Sequence, residues 1–454
     1  MKRQWQIGEI LQVQITDLTK NGEGVAHEDG MTIFIDRAIP EDLVVIQISK
    51  VKQQYLKGKI VKFLQPSQFR REQDCPYFEI CGGCQWRHID YLFQMQMKRQ
   101  MVINHLKHIG QIDHAKQLVQ PVIGMKNPDY YRNKAQFKVS PAGIGYYKRK
   151  SHYVIPIQKC RTQSRVVGQK EIAVVDQWIN ESRVTLYDEK KHRGCLRGIV
   201  FRSNRRGELL LSIIVSNESE LDKNELIHFF TKKIPNIVSL SININAQKGN
   251  KILGKTTKVI WGRAYIIEDM CDCYFQISAA SFFQVNTDQA EKLYQCVIKL
   301  ADINRTQNVF DLYCGTGTIG LCLSKYTKQV YGIECVPEAV DDARENATRN
   351  NVHNISFYLG KAEDVLPTLL EQGINADLVI LDPPRKGCAQ SLINCLIQCG
   401  ISKIIYVSCD SATMARDICL FTQGGYQIET VQPVDLFPQT GHVETVVLMS
   451  RVEK

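Results

Sequence analysis

One stretch constrains the fold more than any other: NVFDLYCGTGTIGLCLSKY, residues 308–326, in which an apolar run leads into Gly315-x-Gly317-x-x-Gly320 and then into a helical pattern. Glycines at this spacing let the backbone turn tightly and approach a ligand at the helix amino terminus. The following apolar run, VYGIE, ends on Glu334, where an acid can bind ribose hydroxyls. From about residue 270 onward, apolar runs and helical segments alternate in the rhythm of βαβ units. This predicts a Rossmann-like α/β domain over residues 271–454. The glycines alone fit either a nicotinamide or a methyl donor.

Two further strand ends narrow that choice. ADLVILDPPRKG carries an apolar run into Asp382 and two prolines, which fixes a carboxylate at the edge where open α/β sheets bind ligands. Adenine amino-methyltransferases commonly place an aromatic residue after the two prolines; this chain has Arg385. IIYVS then ends on Cys409. A free cysteine is usually a small buried hydrophobe, but the carboxyl end of such a strand is a ligand-facing position.

The length predicts about three domains. Residues 6–64 alternate polar and apolar with Gly-rich turns, which predicts a small OB-like barrel of about five strands, assigned residues 1–66. YLFQMQMKRQMVINHLKHIG reads as a helix closed by Gly110 and able to pack on the carboxyl-terminal domain. Residues 67–270 read as a central, mostly antiparallel α+β domain with one helix near 165–182. The net charge is +10, and YLKGKIVKF, PSQFRREQ, QMQMKRQ, YYRNKAQFKV and GYYKRKSHY mix basic with aromatic or apolar residues before position 155. Cations for phosphates beside rings for bases suit single-stranded nucleic acid. With no signal-peptide core and no long apolar run, the chain is expected to be cytoplasmic and free of membrane spans.

That setting makes the 16 cysteines reduced thiols or metal ligands rather than disulfides. CPYFEICGGC places Cys75, Cys81 and Cys84 among proline and glycines, away from any core period. The spacing is unlike the paired C-x-x-C of zinc ribbons, which favours iron–sulfur over zinc. A fourth ligand is needed; Cys160 is the nearest candidate and Cys195 the fallback.

SFFQVN (281–286), DLYCGTG (311–317), Glu334, LDPPR (381–385), VSCD (407–410) and GHVETVVL (441–448) occur in that order. Together they resemble the RumA-type uridine-5-methyltransferases, and the resemblance extends to an amino-terminal TRAM barrel, a cysteine site and the YRNK stretch, Tyr131 to Lys134. It implies S-adenosylmethionine-dependent methylation of carbon 5 of uridine in large-subunit (23S) ribosomal RNA by a monomer. Cys409 would be the nucleophile and Glu444 the general base. Gln284, Tyr313, Gly315, Glu334 and Asp382 would hold the cofactor or orient the base, and Cys75, Cys81, Cys84 and Cys160 would hold a [4Fe–4S] cluster. Arg132 and Lys134 are expected at RNA phosphates, and Phe282 and Phe283 in the core. The chain has Ser408-Cys409-Asp410-Ser411 where the family often has S-C-N-P.

Carbon 5 of uracil needs activation before it can accept a methyl group. Thiolate addition at carbon 6 supplies it, and a base then removes the carbon-5 proton so that the thiol can leave. The thiolate needs nearby positive charge, for which Arg385 and Arg416 are candidates. The target must leave its stack, so a single-stranded or loop segment with a flipped uridine is the expected substrate. Competing readings are a transfer RNA or cytosine enzyme, a non-catalytic RNA-binding assembly factor, and, from the glycines alone, a nicotinamide oxidoreductase.

Overall fold

A computed structural model describes residues 4–249 and 251–452. Residues 1–3, 453 and 454, within the ends assigned above to the barrel and the α/β domain, lie outside the described residues.

The first sheet has the spatial order Ile10–Gln14, Leu43–Val51, Tyr55–Gln65, Met31–Asp36, Glu23–Glu28, Asp17–Leu18. It contains six strands where the alternation predicts about five; Asp17–Leu18 is too short to show a period. Ile33, Ile35, Val44, Ile46 and Leu56 fill its interior. Thr16 N donates to Val25 O at 2.8 Å and draws the exit of the first strand toward the far edge.

The second sheet runs Thr256–Gly262, Ile237–Ile244, Leu209–Val215, Leu196–Ser203, Lys134–Ser140, Gly143–Tyr147, Val154–Pro156. All its pairings are antiparallel except that of Leu209–Val215 with Ile237–Ile244. A parallel pair requires a crossover, and the helix Lys223–Lys233 supplies it. The sequence reading places only one helix in this region, now seen as Gln169–Glu181. The crossover helix buries only Leu226 and Phe230, a faint periodic signal.

The hairpin Tyr265–Met270 and Cys273–Ser278 straddles position 270 and packs Ile266, Phe275 and Ile277 into the core of the third sheet. That sheet has the order Ile355–Leu359, Gln329–Glu334, Asn308–Leu312, Leu378–Leu381, Lys403–Ser408, Glu444–Arg451, Tyr426–Val434. Its first five strands are parallel, and Glu444–Arg451 runs against both neighbours. Leu378–Leu381 is buried along its whole length, as a strand covered on both faces must be.

The helix Tyr91–His108 lies on one of those faces. Asp90 caps it by accepting from Leu92 N and Phe93 N. Val102, Ile103 and Leu106 join Phe310, Leu312 and Met414 in the core, each such side chain contributing about 1.5–3 kcal/mol on burial. Among the described residues no helix is long and apolar enough to cross a membrane.

Candidate active site and cysteine cavity

The carboxyl ends of the parallel strands form a cleft where the strand order reverses between Asn308–Leu312 and Leu378–Leu381. Gly315 and Gly317 adopt φ of 54° and 76°, and a β-carbon at Gly317 would stand 2.8 Å from the Phe357 ring. Asp311 accepts from Gly320 N at 2.9 Å and fixes the loop to the helix start. Glu334 accepts from Gly315 N at 3.1 Å and from Cys335 N and Val336 N at 2.8 and 2.9 Å. Tyr313, at φ 63°, sits between the strand and these glycines. Burial lifts the Asp311 and Asp382 carboxyls to about 7, so an acidic, desolvated strip lines the cleft.

Cys409 follows the strand Lys403–Ser408 at its carboxyl end, as the sequence predicts. Ser408 pairs with Thr445, and one step further along the same register Cys409 faces Glu444. Burial, then Glu444 and Asp382, push the Cys409 thiol up to about 11, against Arg385. Burial and Asp382 raise Glu444 to about 8, again opposed by Arg385. The cation beside the thiol is therefore Arg385. Arg416 instead binds Asp417 at 2.6 Å and the Lys386 carbonyl at 2.9 Å, so it does not serve the thiol as expected.

SFFQVN is held to the segment that leads into Glu444 through hydrogen bonds that its sequence gives no hint of. Asn133 Nδ2 donates to Gln284 O at 2.9 Å, Asn133 N to Val285 O at 2.8 Å, and Asn286 Nδ2 to Leu436 O at 3.0 Å. Tyr131 Oη donates to Pro438 O at 3.0 Å. YRNK thus ties the glutamine segment to the segment that leads into Glu444. Phe283 is buried as expected, whereas Phe282 is 73% exposed. The segment turns Phe283 toward Phe275 and leaves Phe282 in solvent.

Asp410 and Ser411, where the chain departs from S-C-N-P, make contacts of their own. Asp410 caps the helix Ser411–Gln423 and pairs with Lys20 of the barrel at 3.1 Å. Ser411 Oγ lies 2.8 Å from His105 Nδ1.

Cys75, Cys81, Cys84 and Cys160 line one cavity of about 250 Å³, with Arg132, Lys134 and Gln136. Among the described residues no three histidine, cysteine or carboxylate groups converge closely enough to hold a single metal ion. Cys195, the fallback ligand, is elsewhere, buried in the central core with its thiol on Asn217 O at 3.1 Å. Arg132 and Lys134, expected at RNA phosphates, face this cavity. Burial, then Arg202 and Arg132, depress Lys134 to about 7.

A model of the tRNA (uracil-5-)-methyltransferase family matches residues 91–452, and one of the TRAM domain matches residues 4–61. The chain belongs to the uracil-5-methyltransferase family. It is an S-adenosylmethionine-dependent RNA methyltransferase, as the order of motifs predicts. Similar proteins are an uncharacterized RNA methyltransferase of Clostridium tetani, 42% identical over 96% of this chain and 95% of that one, and one of Clostridium acetobutylicum, 40% identical over 98% and 97%. The structure of the tRNA (uracil-54, C5)-methyltransferase of Pyrococcus abyssi, bound to S-adenosyl-L-homocysteine, has a similar fold. It matches at TM-score 0.77 and 24% identity, covering 97% of this chain and 100% of the other.

Proposed function

We propose that this methyltransferase modifies carbon 5 of a uridine in 23S ribosomal RNA, with Cys409 as nucleophile and Glu444 as base. The observation that carries the reading is the register of the two closing strands, which brings a thiol and a buried carboxyl together one step past Ser408 and Thr445. Gln284, Tyr313, Gly315, Glu334 and Asp382 are assigned to cofactor and base. S-adenosylmethionine supplies an electrophilic methyl group when bound. The Cys409 thiolate adds to carbon 6 of the flipped uracil, and carbon 5 takes the methyl group. Glu444 accepts the carbon-5 proton, and the C6–S bond breaks to return the thiolate. In the unliganded protein both the thiol and the carboxyl hold their protons at neutral pH. A cation entering the cleft favours their ionised forms.

The barrel supports an RNA substrate. Its strand Tyr55–Gln65 exposes Lys59, Val61, Lys62, Phe63 and Leu64 to solvent in a basic and apolar row. The four cysteines fit a polyatomic cluster better than a lone ion: they ring a cavity without converging, and an iron–sulfur cubane takes one thiolate per iron. We assign Cys75, Cys81, Cys84 and Cys160 to a [4Fe–4S] cluster of structural role. Transfer RNA is the second reading, favoured by the likeness to the Pyrococcus abyssi enzyme.

The test is a covalent trap with S-adenosylmethionine and 5-fluorouridine RNA, whose fluorine cannot be removed as a proton. A denaturation-resistant adduct with a ribosomal fragment, absent in Cys409→Ala, is expected. An adduct formed only with transfer RNA overturns the substrate assignment, and one that persists in Cys409→Ala overturns the nucleophile.

A further inference from the structure

One wall of the cysteine cavity is built of cations without acids. Arg132, Lys134 and Gln136 line it, while the intervening Ala135 and the following Phe137 turn into the central core. Arg202 stands directly opposite Lys134 on the neighbouring strand, so its side chain shares that face. It is 1% exposed, and its Nε and Nη1 have no partner; Nη2 donates to the Ser281 carbonyl. Among the described residues no carboxylate pairs with Arg132, Lys134 or Arg202.

The other arginines around the cavity are treated differently. Arg87 binds Asp74 at 3.0 Å and Asp129 at 2.7 Å, and Arg161 binds the same two carboxylates at 3.1 and 2.6 Å. Acids are thus supplied on that side and withheld beside Lys134. Burying an unpaired cation is strongly unfavourable, and like charges directly opposite each other on adjacent strands repel. An RNA phosphate cannot reach a guanidinium as enclosed as that of Arg202. Arg202 lies behind the cavity wall, and its charge adds to that of Lys134, which faces the cysteines with Arg132. Four cysteine thiolates around an iron–sulfur core suit such a wall, because their charge outweighs that of the core and leaves the assembly anionic.

We propose that Lys134 and Arg132, backed by Arg202 beside Lys134, form the cationic wall of the cysteine site, balancing its negative charge and tuning the reduction potential of the cluster. The proposal rests on the cluster assignment above. It moves Lys134 from the RNA interface to the cavity.

The experiment uses the full-length protein, purified without oxygen, with iron and sulfide measured and the cluster titrated with dithionite under electron paramagnetic resonance. One electron passes from dithionite to the core, and no ligand bond breaks. Lys134→Met removes a positive charge and is expected to shift the potential to more negative values; Lys134→Arg is expected to leave it near the parent's. Gln136→Lys adds a cation to the same wall and is expected to shift it positive, so the test survives if Lys134→Met fails to fold. Unchanged potentials in Lys134→Met and Gln136→Lys, with full iron content, overturn the proposal, all the more if Lys134→Met weakens RNA binding and flattens its salt dependence. A parent protein without iron or sulfide, even after reconstitution, overturns the cluster reading itself.

Discussion

The Lys98 ammonium meets the Asp435 carboxylate at 2.5 Å with both side chains wholly buried. Tyr91 Oη donates to the second carboxylate oxygen at 2.7 Å, and Lys98 also donates to Phe437 O at 3.2 Å. The pair pins the segment that leads into Glu444 to the helix Tyr91–His108. Removing one partner strands a buried charge, so Lys98→Met is expected to cost about 3–5 kcal/mol in urea unfolding. Lys98→Met combined with Asp435→Leu is expected to recover most of that loss, since no charge is then left alone.

Glu444 gives the protein a measurable pH dependence. Its carboxyl is raised from 4.5 to about 8, so between those values the folded state holds a proton that the unfolded chain releases. Stability contributed by this group therefore falls as pH rises through the window, by at most about 1.4 kcal/mol per unit. Glu444→Gln cannot ionise. It is expected to match the parent near about pH 5 and to unfold at a higher temperature than the parent at about pH 9. Its turnover is expected to fall by roughly 10²–10⁴, while the parent's kcat/KM rises with pH through about 8 and its kcat at lower pH, once the cofactor's cation is bound.

The two loop glycines are expected to fail differently. At Gly315 a β-carbon meets nothing within 4 Å, and only the φ of 54° resists a side chain. Gly315→Ala is expected to lose about 1–2 kcal/mol of stability and much of the thermal shift that S-adenosylhomocysteine produces. Gly317→Ala drives its methyl into Phe357 and is expected to lower the melting temperature further even without ligand.

Asp410 both caps a helix and bridges to the barrel, and two substitutions separate these roles. Asp410→Asn keeps an acceptor for Ala412 N and Thr413 N but loses the charge facing Lys20, whose side chain is 51% exposed. Its cost is expected within about 1 kcal/mol and is expected to vanish in high salt. Asp410→Ala removes the cap and is expected to cost about 1 kcal/mol more, unaffected by salt. Thermal unfolding at low and high ionic strength reads both.

Much of the candidate site's placement was legible because its residues occupy strand ends. The glycine loop at 315, 317 and 320 follows one apolar run, Glu334, Asp382 and Cys409 close or follow three others, and a parallel sheet brings such ends together at one edge. Glu444 gave no comparable signal. It opens a strand that runs against its neighbours, and its match to Cys409 exists only once Ser408 pairs with Thr445. Phe282 and the crossover helix Lys223–Lys233 were misread for a related reason: composition does not tell which of two adjacent rings turns inward, or that a short polar segment must span a parallel pair.

The amino-acid sequence by itself determined the order of the three sheets, the glycine loop and the chemical types at the carboxyl edge of the parallel strands, because those follow from local period, turn chemistry and strand ends. Tertiary structure alone decided the partners. Arg385 rather than Arg416 stands beside the thiol, because Asp417 claims Arg416. Lys134 faces the cysteines opposite an unpaired Arg202, because the register of two strands, set by burial of Phe137 and Phe201, leaves both cations on the same face. Long-range charge balance depends on which side chains the folded core excludes water from, and no local pattern records that.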